Sequence, residues 1–489
     1  MNATTFQDEK IAADRRRTFF MLLGLVLFSS VYFSPQWPDA VDPVGKHFPL
    51  TREAKGALAI FLLAGVWWVF EVVPIGVTSL AIGTMQALFT VRAAKYAFKD
   101  FMDPSVVFIF ASIVIGLVFT KTGLTRRVAY KMLVLVGEKT SMIYLGCFIV
   151  TAALTLFMAH TAVAATIYPL LLAVYSLYGE RDKPTKFGKG LFIGMAYVAG
   201  AGSIITLLGA ARGAVAISFF KEIAGREIGF FQLSYYMFPV GALMVFILWA
   251  YFLIVLRPEK KVIPGLREKA QQLNASLGKI TREEILATVV VFAMLATMSL
   301  RSFVPALQAV DKSAIILVST VLFFLFRILD INDLEQIPWN IILLFGGAMS
   351  IGYCLYETGA AQWLAVKWLC MFEDAHWFVF VMALAFFVLI MTNFIMNVAA
   401  ISISIPVALV LAPYLGVAPD VVLFASLVVA GMPFLLLVGA APNAIAYDSK
   451  QFTSGEFFVY GIPASLLAML VLAFTVLVLW PLMGMPVVL

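Results

Sequence analysis

The sequence predicts an all-α polytopic membrane protein with about eleven transmembrane helices and two re-entrant helical hairpins arranged as an inverted repeat. Three observations lead there: the bulk composition, two long stretches without a charge, and a set of landmarks that occurs twice in one order. Of the 489 residues, 62% are hydrophobic and 13% charged, and the mean hydropathy is +0.98, far from the balance of a soluble globular chain. Apolar runs of about 20 residues match the length at which a helix crosses a hydrocarbon core of roughly 30 Å, and no strand-like alternation recurs.

Composition also excludes function classes. The net charge of +6 sits at segment ends and in short connections, which is a topology pattern and not a nucleic-acid footprint. Cys147, Cys354 and Cys370 are too few and too scattered for a disulfide framework or a zinc site. No nucleophile, acid/base pair or metal cluster converges, so an enzyme is not expected, and no organic cofactor is assigned.

Residues 1–54 form an N-terminal segment with a first span at 18–36, preceded by Arg15, Arg16 and Arg17 and followed by no A-x-A-like cleavage pattern, so a retained span is expected. The first repeat, 55–256, opens with spans at 55–73, 75–90 and 105–121. With a cytoplasmic N-terminus in a bacterial inner membrane, Arg126, Arg127 and Lys131 fall inside. So does the connection 257–284, whose seven Lys and Arg face four glutamates. The segment 91–104 fits less well, because Arg92, Lys95 and Lys99 then lie outside.

Between Lys139 and the flank Glu180, Arg181 and Lys183 run forty residues, 140–179, without one Asp, Glu, Lys or Arg. A single helix of that length would measure about 60 Å, roughly twice the bilayer core. It has to turn back, and FMAHTA at 157–162 stands near the middle, so a re-entrant hairpin with a polar tip is expected. The second repeat, 285–489, carries spans at 285–303, 314–329 and 339–356 and then the same device. Residues 375–419 lack those four residue types, with TNFIMNVAA at 392–400, and follow Glu357, Glu373 and Asp374.

Other landmarks agree. GLVFTKTG at 116–123 precedes the first hairpin and GYCLYETG at 352–359 the second; Thr122 to His160 is 38 residues and Thr358 to Asn397 is 39. After each hairpin comes a span interrupted by small residues, TLLGAARGA at 206–214 and LLLVGAAPNA at 435–444. Counting spans sets the two copies in opposite directions, the arrangement in which broken helices of secondary transporters meet at the midplane.

With VVPIGVTSL at 72–80, IPWNIILLFGGAMSIGYCLYETG at 337–359, the two hairpins and the AAPNA break, the chain resembles the divalent anion:sodium symporter family, which includes transporters of dicarboxylates, citrate and sulfate. The resemblance implies Ser-Asn-Thr at both tips and a Thr-Pro-Pro-Asn-like sequence in both breaks, holding the substrate and two sodium ions. This chain departs from that pattern. Its first tip reads Ala159, His160, Thr161 and its second Met396, Asn397, Val398; its breaks read Ala210, Ala211, Arg212, Gly213 and Ala440, Ala441, Pro442, Asn443.

Carried over by position, the resemblance implies substrate contacts from His160, Thr161, Arg212, Asn397, Val398, Ala441 and Pro442. It implies one sodium site from Thr392, Asn397 and Gly439, and a degenerate one from Thr155 and Gly209. Sodium needs a cage of hard oxygens, so the fixed charge of Arg212 is expected to abolish the first site or to fill it in effect. It further implies a homodimer and an elevator-like motion.

Arg212, the single charge between Lys189 and Lys221, either binds the anion or serves structurally by snorkelling or pairing with an acid. His160 either carries a coupled proton or stays neutral and donates one hydrogen bond. Glu71 is read as a structural partner for a base, and His47 and His376 as ordinary end residues. The expected function is cation-coupled secondary transport of a small carboxylate, sulfate or sulfonate. The alternative is a sodium-independent exchanger or proton symporter in which Arg212 and His160 replace a sodium site.

Overall fold

The computed structural model describes the backbone of residues 3–42, 45–178, 184–372 and 376–489, and the side chains of these except 3–14 and 369–372. Glu180, Arg181, Lys183, Glu373 and Asp374, the flanks used above, lie outside the described residues, as does the side chain of Cys370. Among the described residues eight helices are long and apolar enough to cross a membrane. Four shorter apolar helices, Ile75–Leu88, Thr140–Thr155, Lys312–Leu325 and Pro419–Ala430, accompany them. One pair of two-residue strands, Ala40–Val41 and His47–Phe48, precedes the second long helix.

Helices cover the expected spans, within about four residues except at the first, where the helix begins fifteen residues ahead of the expected 18. After Ala3–Tyr32 come Arg52–Val69 and Ile75–Leu88, then Pro104–Thr122, and later Arg282–Leu300, Lys312–Leu325 and Trp339–Glu357. Local chemistry sets their starts. Thr51 caps the Ala54 amide at 3.1 Å, Asp103 caps Ser105 ahead of Pro104, and Thr281 and Glu284 form a reciprocal capping box. The conserved spacing of the two TG landmarks within this chain also has a local cause. Gly123 and Gly359 adopt φ of +82° and +81°, a left-handed turn that ends one helix and admits the next, Leu124–Val136 and Ala360–Phe372.

From there the two halves keep the same order: a hairpin, a broken helix and a long helix, Phe230–Val255 in the first and Ser454–Phe474 in the second. The halves interlock. Trp339–Glu357 packs on Ile75–Leu88, where an added Cβ at Gly347 would overlap Ser79, and Pro104–Thr122 packs on Lys312–Leu325.

Charges repeat this exchange with reversed sign. Glu357 of the ETG landmark meets buried Arg92 at 2.8 Å, which also holds Asp100 at 2.6 Å, while Lys121 of the KTG landmark meets Asp333 at 2.5 Å. Each broken helix is clasped likewise, by Lys189 with Glu456 and by Arg226 with Asp420. Arg92, one of the three basic residues that fit the expected topology less well, is thus paired inside the protein with two carboxylates.

Candidate functional site

The first hairpin folds as Thr140–Thr155 and His160–Tyr178, the second as Trp377–Phe394 and Asn397–Leu411, with breaks at 156–159 and 395–396. The first broken helix is Lys186–Gly202 followed by Arg212–Ala224. The second is Pro419–Ala430 followed by the two-turn Ala441–Tyr447. Glycine lets each hairpin tip nest against a break. A Cβ added at Gly209 would lie 2.8 Å from the Thr155 carbonyl oxygen, and one at Gly439 would lie 3.0 Å from that of Thr392.

Polar side chains complete these junctions. Thr206 donates to the Leu156 carbonyl at 3.0 Å in the first. In the second, Asn393 Oδ1 accepts from the Leu435 and Leu436 amides at 2.7 and 3.3 Å, and Asn443 donates to the Pro433 and Leu436 carbonyls at 2.8 and 3.1 Å. Backbone groups freed by the breaks are thereby satisfied inside the protein, which a membrane interior requires.

Both tips and both breaks face one cavity of about 1030 Å³. Its wall includes His160, Thr161, Arg212, Asn397, Val398 and Ala441, so six of the seven residues expected to contact substrate share it. Pro442 is buried beside that wall without lining it. Thr155, Gly209, Thr392 and Gly439 lie behind it, at the tip-to-break junctions. The helices beginning at His160, Asn397 and Arg212 all direct their N-termini to this wall, where free amides and the helix dipole favour an anion.

Arg212 is 2% exposed. Its Nη2 donates to Ser203 Oγ at 2.8 Å, its Nη1 is buried without a partner, and no carboxylate pairs with it among the described residues. It neither snorkels nor meets an acid. A Cβ added at Gly431 would lie 2.6 Å from Nη2, so the guanidinium reaches from the first break to the start of the second.

His160 is tied to the first break. Its backbone N–H donates to the Gly209 carbonyl at 3.0 Å and its Nδ1 lies 3.1 Å from the same oxygen. A carbonyl only accepts, so Nδ1 carries the hydrogen and a neutral ring presents a lone pair at Nε2. In that tautomer the ring offers an N–H to an anion only as an imidazolium. Thr161 Oγ1 and the Asn397 carboxamide form no hydrogen bond among the described residues. Both line the cavity wall with Arg212, whose unpartnered Nη1 is itself buried.

The two sets expected to hold sodium differ. In the first, the Thr155 hydroxyl donates to its own helix at Ala152, 2.7 Å away, and the Gly209 carbonyl already accepts from His160. In the second, Thr392 donates to Ala430 at 3.1 Å, and the Gly439 carbonyl and Asn443 Oδ1 accept nothing from the described residues; both threonine hydroxyls keep their lone pairs, so the junctions differ at the glycine carbonyls and at Asn443. The second set leaves more oxygens free to accept than the first.

Glu71, expected to pair with a base, forms no ion pair among the described residues. It is exposed on the cavity wall at φ 45° between two helices. His47 lies 3.6 Å from Asp39, and His376 caps the second hairpin. Sequence reasoning did not single out Ser203, Asn393 or the amide role of Asn443. The two asparagines stand inside the TNFIMNVAA and AAPNA landmarks, whereas Ser203 carries no signal beyond being small.

Comparison with known proteins agrees with this architecture. The family model described as sodium:sulfate symporter transmembrane region matches residues 41–486. The sodium-dependent dicarboxylate transporter SdcS of Staphylococcus saprophyticus is 25% identical over 453 residues, covering 88% of this chain and 87% of that one. SdcS of Staphylococcus aureus strain RF122 is 25% identical over 479 residues, covering 92% and 90%. In fold, the chain is similar to the YdaH transporter of Alcanivorax borkumensis, with a TM-score of 0.57 at 13% identity over 98% of this chain and 99% of that one. MtrF of Neisseria gonorrhoeae gives 0.55 at 13%, over 94% and 93%.

Proposed function

The chain belongs to the sodium:sulfate symporter family, a multi-pass secondary transporter and not an enzyme, and from that premise we propose that it carries a small anion together with one sodium ion. The observation that carries this reading is that Arg212, Thr161 and Asn397 line one cavity at the N-termini of three helices, the Thr161 hydroxyl and Asn397 carboxamide without protein partners and the buried guanidinium without a carboxylate among the described residues. The guanidinium gives a fixed charge and the hydroxyl and carboxamide orient the bound group. Sodium takes the second junction, with Thr392, Asn397, Gly439 and Asn443 as oxygen donors, and Arg212 stands in for a first ion.

In this proposal the repeats are inverted, the N-terminus is cytoplasmic in an inner membrane, and two copies form a dimer. The cavity wall includes Arg126 and Leu273, next to and within the basic connection, which supports an inward-open state. Toward the other face Phe219 sits against Gly352, and the Ser218 and Tyr353 hydroxyls lie 2.8 Å apart while Tyr353 donates to Asp103 at 3.2 Å. Opening that side would require these contacts to part as the hairpin-bearing core moves, in an elevator-like step.

A second reading, proton coupling, has its own support: the free Nε2 of His160 gains a donor only on protonation. The test is uptake into proteoliposomes of an anion first identified by its effect on the thermal midpoint. Uptake driven by a sodium gradient at equal pH is the expected result. Uptake that ignores sodium and follows a pH gradient overturns sodium coupling in favour of the second reading.

A further inference from the structure

Beyond Ser218 and Phe219, on the face away from the basic connection, an ion cluster joins two parts of the molecule. Glu227 stands in the turn 225–229 between the first broken helix and Phe230–Val255. That long helix packs on Thr140–Thr155 and Lys186–Gly202, so the turn belongs to the hairpin-bearing core. Arg301 and Lys312 belong to the scaffold, where Arg282–Leu300 and Lys312–Leu325 pack on each other and on Pro104–Thr122. The Glu227 carboxylate takes Arg301 through both terminal nitrogens, at 3.2 Å each, and Lys312 at 3.5 Å, while Lys221 of the core adds a third cation at 3.8 Å. Beside it a Cβ added at Gly229 would lie 3.1 Å from Ser302 Oγ, and Phe231 meets Phe303 edge-on at 5.1 Å. The clasps described earlier stay within one part. Lys189 with Glu456 and Arg226 with Asp420 join core to core, and Arg92 with Glu357 and Lys121 with Asp333 join scaffold to scaffold.

The scaffold half is held ready. Arg301 Nε donates to the Val310 carbonyl at 2.7 Å and Nη2 to that of Gln308 at 3.3 Å, which aims the guanidinium at the core. Asp311 caps the Ser313 amide at 2.8 Å, and it is Glu227 that pairs with the Lys312 ammonium, whose side chain is only 9% exposed. On the alternating-access reading above, we infer that these residues form a latch that keeps the outer side closed in the inward-open state, with Glu227 as its moving half and Arg301 and Lys312 as its fixed half. Raising the core withdraws the carboxylate and leaves a buried ammonium without its ion-pair partner, which is strongly unfavourable. None of the three lines the large cavity. Removing the Glu227 charge therefore shifts the balance between inward-open and outward-open states without touching the contacts made to the anion.

The experiment reads the opening of the outer side directly. Ala216 is fully buried, one turn before Phe219 on the same helix face, and lies off the large cavity. The full chain carrying Ala216→Cys, in lipid nanodiscs, is treated with the uncharged reagent N-ethylmaleimide, and modification at position 216 is followed by peptide mass spectrometry. Glu227→Gln and Arg301→Gln should each speed the reaction, the first by about tenfold or more, equivalent to about 1.4 kcal/mol between the two states. Combining them should change the faster rate by less than about twofold, since one contact is lost only once. Arg226→Gln, which breaks a core-to-core clasp in the same turn, should leave the rate as it was, and Phe219→Ala should raise it by opening the seal without touching the latch. A rate that rises in Phe219→Ala and not in Glu227→Gln overturns the latch and leaves alternating access standing. An equal rise in Arg226→Gln traces the effect to a loosened turn and also overturns the latch. No rise in any variant overturns both.

Discussion

The two tip-to-break junctions are built on one plan and differ in which oxygens remain free. In both, a glycine of the break packs on a threonine carbonyl of the hairpin, Gly209 on Thr155 and Gly439 on Thr392. In the first junction the Gly209 carbonyl accepts twice from His160, and Arg212 follows the break. In the second the Gly439 carbonyl accepts nothing from the described residues, and Pro442 and Asn443 follow. Equivalent backbones thus carry opposite electrostatics: a fixed cation at one, a set of free acceptors at the other. An internal repeat conserves where groups can stand, and the side chains decide what charge each half tolerates.

The largest effect should come from removing the charge that separates the halves. Arg212→Met takes away a buried guanidinium with one unpaired nitrogen and no counter-ion, so the ligand-free protein should become more stable, by about 1–4 kcal/mol, while anion binding falls roughly 100-fold or more. Thermal unfolding with and without anion reads both. A variant that is destabilised, yet binds anion normally, would assign Arg212 to structure alone.

Next in size is the contrast between threonines. Thr392→Val should raise the sodium concentration needed for half-maximal uptake about tenfold, whereas Thr155→Val, whose hydroxyl only returns to its own helix, should leave it unchanged. Sodium titrations of uptake decide the matter, and equal effects at both positions would erase the distinction between the junctions.

Much of this architecture was legible before any coordinates. Charge-free stretches too long to be single spans announced both hairpins, and small-residue clusters announced both breaks, because a bilayer punishes stray charges and free backbone alike. What stayed hidden depends on partners distant in sequence. That His160 is held by Gly209, and so cannot donate while neutral, requires knowing the contact across 49 residues. Ser203 as the partner of Arg212 was equally invisible, since a serine among glycines and alanines reads as packing. The pairing of Arg92 with Glu357, 265 residues apart, was hidden in the same way.

The tips supply the third contrast. Their third positions are Thr161 and Val398, so a hydroxyl faces the cavity from one side and a methyl pair from the other. Val398→Thr adds a donor of nearly the same volume. It should improve succinate binding by about tenfold, one hydrogen bond to a charged group, and leave benzoate within a factor of about two. Competition titrations against both anions measure the ratio, and a ratio that does not move would mean that the second tip stands away from the bound anion.

The smallest effect separates the outer ends of the broken helices. The first starts at Lys186, where Glu259 from the basic connection accepts the Lys186 and Phe187 amides at 2.6 and 3.2 Å and the Tyr178 hydroxyl at 3.0 Å. Partial burial works against the Glu259 carboxylate, but these hydrogen bonds outweigh it and hold its pKa below the ordinary value. The second broken helix starts at Pro419 and is clasped by Asp420 with Arg226 instead. A depressed carboxylate pKa contributes stability that is present above the unfolded value and lost as pH falls through the folded one. Glu259→Gln should therefore cost about 0.3–1 kcal/mol at neutral pH, the usual worth of a carboxylate at a helix N-terminus, and nothing once the wild-type carboxyl is protonated. Thermal midpoints of the two proteins, apart at pH 7, should converge as the pH is taken below the ordinary glutamate range. Midpoints that stay equally far apart at every pH would show that Glu259 acts through packing and not through its charge.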